Sequence, residues 1–156
     1  MEGGLFLEHD EAVGSLEAES VVLEQVRLFN EGDVAGSAAT FAPESLNHGV
    51  QVPRAGIEAV LRSLRTALPD LRVEIVEMIS DGEVVVYRAV ITGTHLGTPE
   101  LPFVQGGVFA LVEPSGRAVE MMQIHWFRVQ NGKIVEHWAV RDDLTLARQL
   151  RVIPDL

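Results

Sequence analysis

The stretch that decides the fold is VEMMQIHWFRVQ at residues 119–130, followed by Asn131-Gly132 and then KIVEHWAVRDD at residues 133–143. Both runs are rich in β-branched and aromatic residues, which favour strands. The Asn-Gly pair between them is the dipeptide that most readily takes the two positive φ angles of a type I′ turn. The sequence therefore predicts a β-hairpin with a two-residue turn and a fixed register.

The predicted register sorts the hairpin residues onto two faces. If Gln130 and Lys133 close the turn, alternate residues of each strand share a face. One face then holds Met121, Gln123, His125, Phe127, Val129, Ile134, Glu136, Trp138, Val140 and Asp142. The other face holds Met122, Ile124, Trp126, His137, Ala139 and Arg141. The first face combines an imidazole, an amide, an indole and a carboxylate with apolar side chains, which is typical of a small-molecule pocket.

We therefore predict that His125, Trp138 and Asp142 project into a cavity, while His137 and Trp126 point away from it. A slip of one residue would invert every one of these assignments, because side chains alternate along a strand. A less specific interpretation stays open, since a single histidine in an apolar strand is more often a structural residue.

Two adjacent aspartates follow the second strand and have two possible roles. Either Asp142 or Asp143 could be the N-cap of a short helix predicted over residues 144–150. In the predicted register Asp142 lies among apolar side chains, which raise the pKa of a carboxylate so that it can accept and return a proton. His125 could donate to a carbonyl oxygen and stabilise a developing enolate. Asp142 and His125 are therefore the candidate catalytic residues, and the candidate substrate contacts on this face are Met121, Gln123, Phe127 and Trp138.

Helical periodicity dominates the first half of the chain. Apolar residues recur at spacings of three and four between Ser20 and Gly32, and again from Ile57 to Leu64. Asp33 would cap a second, short helix in between, and Pro69 would end the third.

Beyond the third helix the hydrophobic period changes to two, which is typical of strands. Strands are predicted on both sides of the tight turn at Asp81-Gly82, over residues 107–112, and in the hairpin. Turns this short join antiparallel strands. We predict an α+β fold, in which N-terminal helices pack over one face of a curved antiparallel sheet.

Several short motifs occur in a fixed order along the chain. Residues 132–138 read GKIVEHW, Asp142 follows, and residues 146–150 read LARQL. Earlier come FNEGD at 29–33, His48 followed by GIEA at 56–59, LPDLR at 68–72, DGE at 81–83, GTHLG at 93–97 and PSGR at 114–117. Together these motifs resemble the SnoaL-like polyketide cyclases, a family of the nuclear transport factor two-like superfamily, over about residues 20–150.

The resemblance implies a cone-shaped sheet that encloses a cavity beneath the helices. It also implies cofactor-independent acid/base chemistry, an intramolecular aldol closure of a polyketide ester, in which the key acidic residue corresponds to Asp142. The region around His48 would line the pocket. Common members of the family have a shorter path between the GTH motif and the turn at 114–117. The apolar segment from Phe103 to Val112 is additional here, which points to a different cavity mouth.

Two other features bear on the site. His95 lies between Gly93 and Gly97, which let the backbone bend, so this side chain could sit at the cavity rim, although ordinary turn chemistry explains the glycines equally well. None of the histidines has the spacing of common metal motifs, and the sequence has no Walker loop or GxGxxG motif. Proton transfer without a metal or cofactor is the chemistry that is left.

Composition sets the broad limits. A chain of 156 residues with 47% hydrophobic residues is one ordinary domain with a sizeable core. The net charge of -11 argues against nucleic acid and anionic membranes as partners. The sequence has no cysteine and no apolar run long enough to span a membrane, and we expect a cytoplasmic protein.

The first 19 residues carry six acidic residues and no Lys or Arg, which does not fit a signal peptide. We predict a flexible acidic tail at residues 1–19, followed by a single domain at residues 20–156. The apolar patch Leu5-Phe6-Leu7 could dock on a partner subunit.

Three functions fit these observations. The first is a cyclase acting on a hydrophobic ketone or ester. The second is an isomerase or epoxide hydrolase in the same fold, in which Asp142 activates water or shuttles a proton. The third is a binding or dimerisation module without chemistry. The face that carries Trp126, Ile124, Met122 and Ala139 is too apolar for solvent, so we expect a homodimer packed sheet to sheet.

Overall fold

The computed structural model describes residues 4–101 and 107–154. Its helices are α1 Gly4–Glu31, α2 Val34–Ala39, α3 Arg54–Ala67 and α4 Asp143–Gln149, with a 3-10 helix at Gly107–Leu111. Its strands are β1 Phe41–Asn47, β2 Val50–Pro53, β3 Arg72–Asp81, β4 Val84–Thr94, β5 Ala118–Gln130 and β6 Lys133–Arg141.

The strands form one six-stranded sheet in the order β2-β1-β6-β5-β4-β3. Neighbouring strands are antiparallel except for β1 and β6, which pair in parallel. The N-terminal helices pack over one face of this curved sheet, so the predicted α+β architecture is confirmed. The β1–β2 hairpin was not predicted from the sequence, and its turn residues His48 and Gly49 have φ angles of 52° and 77°.

The predicted strand at residues 107–112 is wrong, because Gly107–Leu111 forms a 3-10 helix. Gly107 has a φ of 62°, which turns the chain out of an extended path, and Val108 and Phe109 are then buried in the core. Short apolar runs bury equally well as strands or helices, so periodicity alone does not separate the two. The part of the predicted apolar segment at residues 103–106 lies outside the described residues.

The helix predicted from Ser20 begins at Gly4, so α1 includes residues 4–19 of the predicted tail. The predicted cap of α2 is confirmed, since the Asp33 carboxylate accepts a hydrogen bond of 2.8 Å from the Gly36 backbone N–H. The side chains of the predicted docking patch at residues 5–7 lie outside the described part of the molecule. Within the described residues, no helix is both long enough and apolar enough to cross a membrane.

The core lies between α1, α3 and the inner face of the sheet. Its largest fully buried apolar side chains are Phe127, Leu68, Ile134, Leu146, Val22 and Val85. They come from helices and strands far apart in sequence, so the core forms only when the helical layer closes over the sheet.

A β-bulge decides which hairpin residues face this core. The turn closes as predicted, with Gln130 opposite Lys133 and Val129 opposite Ile134. The next pair is Arg128 with Glu136, so Val135 has no opposite partner. One extra residue on one strand moves all later residues of that strand to the other face.

The predicted register is therefore wrong beyond the bulge. His137 pairs with Phe127, Ala139 with His125, and Arg141 with Gln123. These residues face the helices, while Trp138 pairs with Trp126 on the outer face. Trp138 and Asp142, which were predicted to share the cavity face with His125, do not lie on that face.

Candidate functional site

A cavity of about 830 Å³ lies between the inner face of the sheet and the helices. This volume is within the range of small-molecule pockets. Most of its wall is apolar, with contributions from Phe29, Ile57, Leu61, Leu64, Ile91, Phe109, Met121 and Phe127. The polar or ionisable residues that line it are Gln25, Asn47, His48, Tyr87, Gln123, His125, His137, Arg141 and Asp143.

The central polar feature is a hydrogen-bonded pair of histidines. His125 Nδ1 lies 3.0 Å from His137 Nε2. At the outer ends of the pair, His125 Nε2 lies 2.7 Å from Gln123 Oε1, and His137 Nδ1 lies 2.9 Å from Asn47 Oδ1. The side chains form a continuous row of amide, imidazole, imidazole and amide.

Local structure explains how this row assembles. The bulge at Val135 turns His137 inward, two strand positions away from the level of His125. The parallel pairing of β1 with β6 brings Asn47 opposite His137, and the His48 backbone N–H donates a 2.9 Å hydrogen bond to the His137 carbonyl oxygen. Three strands therefore fix the position of the row.

The row can exist in two protonation states. If both outer ring nitrogens donate to amide oxygens and one proton lies between the inner nitrogens, the two rings hold three N–H protons, one more than two neutral imidazoles. If one amide turns over and presents its NH₂ group instead, both rings can be neutral. Rotation of Gln123 or Asn47 thus lets the pair take up or release one proton.

Burial favours the neutral state of the pair. Desolvation, with smaller effects from the charges of His48 and Arg141, lowers the pKa of His125 to about 4. Desolvation, followed by the charge of His125, also places the pKa of His137 well below its ordinary value. A neutral imidazole has a free lone pair, so near neutral pH the pair is a base.

Tyr87 lies beside the pair on the neighbouring strand. Its ring centroid is 4.8 Å from that of His125, and the residue is buried on the cavity side of β4. Burial raises the pKa of the Tyr87 hydroxyl, which therefore stays protonated and can donate a hydrogen bond.

Arg141 and Asp143 form the charged part of the wall. The Arg141 guanidinium Nη2 lies 3.3 Å from Asp143 Oδ2. Asp143 Oδ1 is buried and has no hydrogen-bond partner among the described residues. Arg141 and Asp143 are the only oppositely charged pair among the described lining residues, apart from any charge on the histidines.

Several predicted site residues line the cavity, namely His48, Met121, Gln123, His125 and Phe127. His48 is exposed at the edge of the cavity, with its ring edge-on to His137 at 5.7 Å. Desolvation, with the charge of Arg141, lowers the pKa of His48. Whether these residues contact a substrate stays a prediction.

The other three predicted site residues lie elsewhere. Asp142 is exposed and caps α4, where its carboxylate accepts from the Thr145 backbone N–H at 3.0 Å and from the Thr145 hydroxyl at 2.6 Å. These bonds lower the pKa of Asp142, opposite to the shift predicted for a desolvated base. Trp138 is on the outer face and donates from Nε1 to Glu136 at 2.8 Å. Neither side chain is in place to contact a ligand in the cavity.

His95 is fully buried outside the lining of the cavity. Its Nδ1 lies 3.1 Å from the Ser115 hydroxyl and accepts from the Ser115 backbone N–H at 3.3 Å. The His95 main chain also forms hydrogen bonds with the main chain of Gly116 and Arg117, so this residue stabilises the turn that precedes β5. Desolvation lowers the pKa of His95, which is consistent with a neutral structural residue.

Sequence reasoning missed the roles of His137, Asn47, Tyr87, Arg141 and Asp143. The alternation of Val85, Tyr87 and Ala89 carried a signal for the Tyr87 side chain facing inward. The bulge that turns His137 and Arg141 inward left no signal in the sequence. Among the described residues, no group of three or more His, Asp or Glu side chains is arranged to hold a metal ion.

The sequence model of the SnoaL-like polyketide cyclase family matches residues 20–150. The chain is 26% identical to AclR of Streptomyces galilaeus, provisionally called a hydroxylase, over 91% of this chain and 89% of that one, with a TM-score of 0.73. It is 27% identical to IdmH of Streptomyces antibioticus, provisionally called a polyketide cyclase, over 86% of this chain and 98% of that one, with a TM-score of 0.69.

A third similar structure is a provisionally assigned SnoaL-like polyketide cyclase from Jannaschia sp. CCS1. It is 26% identical over 90% of this chain and 95% of that one, with a TM-score of 0.67. The comparison with curated proteins found no match.

Proposed function

Because the chain belongs to the SnoaL-like polyketide cyclase family, we propose that it closes a ring in a polyketide-like ketone or ester by cofactor-independent proton transfer. The observation that carries this proposal is the His125–His137 pair in the wall of a largely apolar cavity. The proposed base is this pair rather than the predicted Asp142, which caps a helix outside the cavity.

In the first step, His125 Nε2 removes a proton from the carbon next to a substrate carbonyl. The substrate displaces the Gln123 amide, which lies 2.7 Å from this nitrogen in the structure. The His125 ring then carries the proton, and its charge is shared through the 3.0 Å contact with His137. The Asn47 carbonyl oxygen, at the far end of the row, accepts from His137 and stabilises the charged pair.

The electrons left on the substrate form an enolate, whose oxygen needs a hydrogen-bond donor. Tyr87 is suited to this role because its hydroxyl is buried and protonated, and because its ring lies 4.8 Å from His125. A donor held in a water-poor site is a common way to stabilise an oxyanion.

The enolate carbon then attacks a second carbonyl of the same molecule, which forms the new carbon–carbon bond. The alkoxide produced takes the proton back from the histidine pair, which returns to its neutral state. No net proton is gained or lost. An isomerase would use the same groups but return the proton to a different carbon.

The test compares His125→Gln with the wild-type protein in deuterium oxide. Exchange at the activated carbon is followed by NMR, and ring closure by chromatography, across cyclic ketones and polyketide esters. General acid/base catalysis contributes roughly 10²- to 10⁴-fold, so exchange should fall by that order while binding changes little. Asp142→Asn is the matched control and should keep the full rate, because asparagine also caps a helix.

The rate should also depend on pH in a defined direction. The neutral form of His125 is the active base and its pKa is about 4, so the rate should be flat from pH 6 to pH 8 and fall as the pH approaches 4. Full exchange activity in His125→Gln would refute the catalytic assignment. Binding of panel members without exchange above background would favour a binding module.

A further inference from the structure

Arg141 occupies an unusual position for an arginine. It lies opposite Gln123 on the inner face of the β5–β6 hairpin and lines the cavity within reach of the histidine pair. Among the described lining residues it is the only one with a permanent positive charge. The protein as a whole has a net charge of -11, so a cation inside this cavity runs against the general charge of the molecule.

The backbone is shaped to admit this guanidinium. A Cβ atom placed on Gly107 would lie 2.9 Å from both terminal nitrogens of Arg141. Gly107 also has a φ of 62°, where side chains other than glycine are strained. The backbone at the start of the 3-10 helix can therefore lie this close to the flat guanidinium only because residue 107 is a glycine.

The hydrogen-bonding capacity of Arg141 is only partly used. A guanidinium has five N–H donors, and among the described residues only one contact to a carboxylate is formed, the 3.3 Å contact with Asp143. The Arg141 side chain retains 28% of its accessible surface. A planar anion can therefore approach a second edge of the guanidinium and form two parallel hydrogen bonds.

From these observations we infer that Arg141 binds a carboxylate group of the ligand, so that the cavity selects apolar keto acids over their neutral esters. The apolar wall would hold the carbon skeleton and Arg141 the acid group. The inference rests on the proposed function only for the keto group, since the carboxylate subsite is defined by Arg141 and Gly107.

Carboxylate binding would also act on the base. The Arg141 charge contributes to the lowered pKa values of both His125 and His48. A carboxylate bound to Arg141 would offset this charge and raise the pKa of His125, which makes the imidazole a stronger base.

The test is a binding measurement that needs no turnover. Isothermal titration calorimetry would compare 3-benzoylpropionic acid with its methyl ester, which share an aromatic ketone and differ in one charge. A charge-assisted pair should favour the acid roughly 10- to 100-fold. Arg141→Gln should bring the two affinities together, and Arg141→Lys should retain an intermediate preference.

Arg128→Gln is the matched control, because it removes the same charge from the outer face of the same hairpin, where Arg128 lies 3.5 Å from Glu136. It should leave the acid preference unchanged, and His125→Gln should leave it largely intact as well. The proposal is overturned if the wild-type protein binds acid and ester equally, binds neither at millimolar concentration, or keeps its preference in Arg141→Gln. Loss of turnover in His125→Gln with an unchanged acid preference would separate this subsite from the catalytic assignment.

Discussion

Asp142 and Asp143 are adjacent in sequence but have different surroundings. The Asp142 carboxylate is exposed and holds the first turn of α4 through two hydrogen bonds to Thr145. The Asp143 carboxylate lines the cavity and contacts Arg141. One peptide bond therefore separates a stabilising residue from one that sets the charge of the cavity wall.

Substitution of Asp142 should change stability, whereas substitution of Asp143 should change the affinity for the acid. Asp142→Ala removes a helix cap, so the Tm should fall by a few degrees while ligand binding is retained. Asp143→Asn removes the competing anion beside Arg141, so binding of 3-benzoylpropionic acid should tighten with little change for its methyl ester. Calorimetry measures both quantities. A tighter affinity for the acid in Asp142→Ala would contradict these roles. An unchanged affinity for the acid in Asp143→Asn would contradict them as well.

At the residue level, the sequence predicted part of the cavity lining. His125, Gln123, Met121 and Phe127 were placed on the cavity face because alternation along one strand is reliable. Trp138 was misplaced because its position depends on the pairing of two strands, and pairing changes wherever a bulge occurs. Side chains that reach the site through tertiary contacts cannot be found from periodicity alone.

At the level of secondary-structure elements, the long amphipathic segments and the Asn131-Gly132 turn were predictable, since hydrophobic period and turn chemistry are local properties. The short β1–β2 hairpin was not, because its pairing with β6 depends on contacts about 90 residues away in sequence. The 3-10 helix at Gly107–Leu111 was mistaken for a strand for a similar reason. Its conformation follows from packing rather than from its own sequence.

Gly107 offers a test of how this element positions Arg141. Gly107→Ala and Gly132→Ala both place a Cβ at a positive φ, 62° and 69° respectively, so both should lower the Tm by a similar amount. An added Cβ meets the Arg141 guanidinium only at Gly107, since Gly132 has nothing within 4 Å. The flexible arginine should therefore move in Gly107→Ala alone.

The expected readout is the ratio of acid to ester affinity, which should fall in Gly107→Ala and stay at the wild-type value in Gly132→Ala. Thermal unfolding provides the accompanying stability measurement. Equal ratios in the two variants would mean that the close approach of Gly107 does not hold the guanidinium in place.

At the level of the whole molecule, the outer face of the sheet is unusually apolar. Val140 is 72% exposed, Ile124 48%, Trp138 44% and Met122 41%. Surface ion pairs such as Arg128–Glu136 flank this group. Contiguous apolar patches of this kind commonly mark an interaction surface.

We expect two copies of the chain to pack through this outer face. Sedimentation at micromolar concentration should give a dimer, and Ile124→Glu should convert it into a monomer because a buried unpaired charge is costly. Leu96→Glu, at an exposed apolar position beyond the end of β4, is the matched control and should stay dimeric. A monomeric wild-type protein would rule out this assembly.

The bulge at Val135 also has a genetic consequence. The unpaired residue corresponds to one codon, and whether it is bulged or paired decides which side of the strand the following residues occupy. A relative without the bulge keeps His137 and Arg141 facing inward only if it is also one residue shorter at this point. In this fold, a single in-frame insertion or deletion that is not absorbed by a bulge can therefore exchange the lining of the cavity for the residues of the outer surface without any substitution.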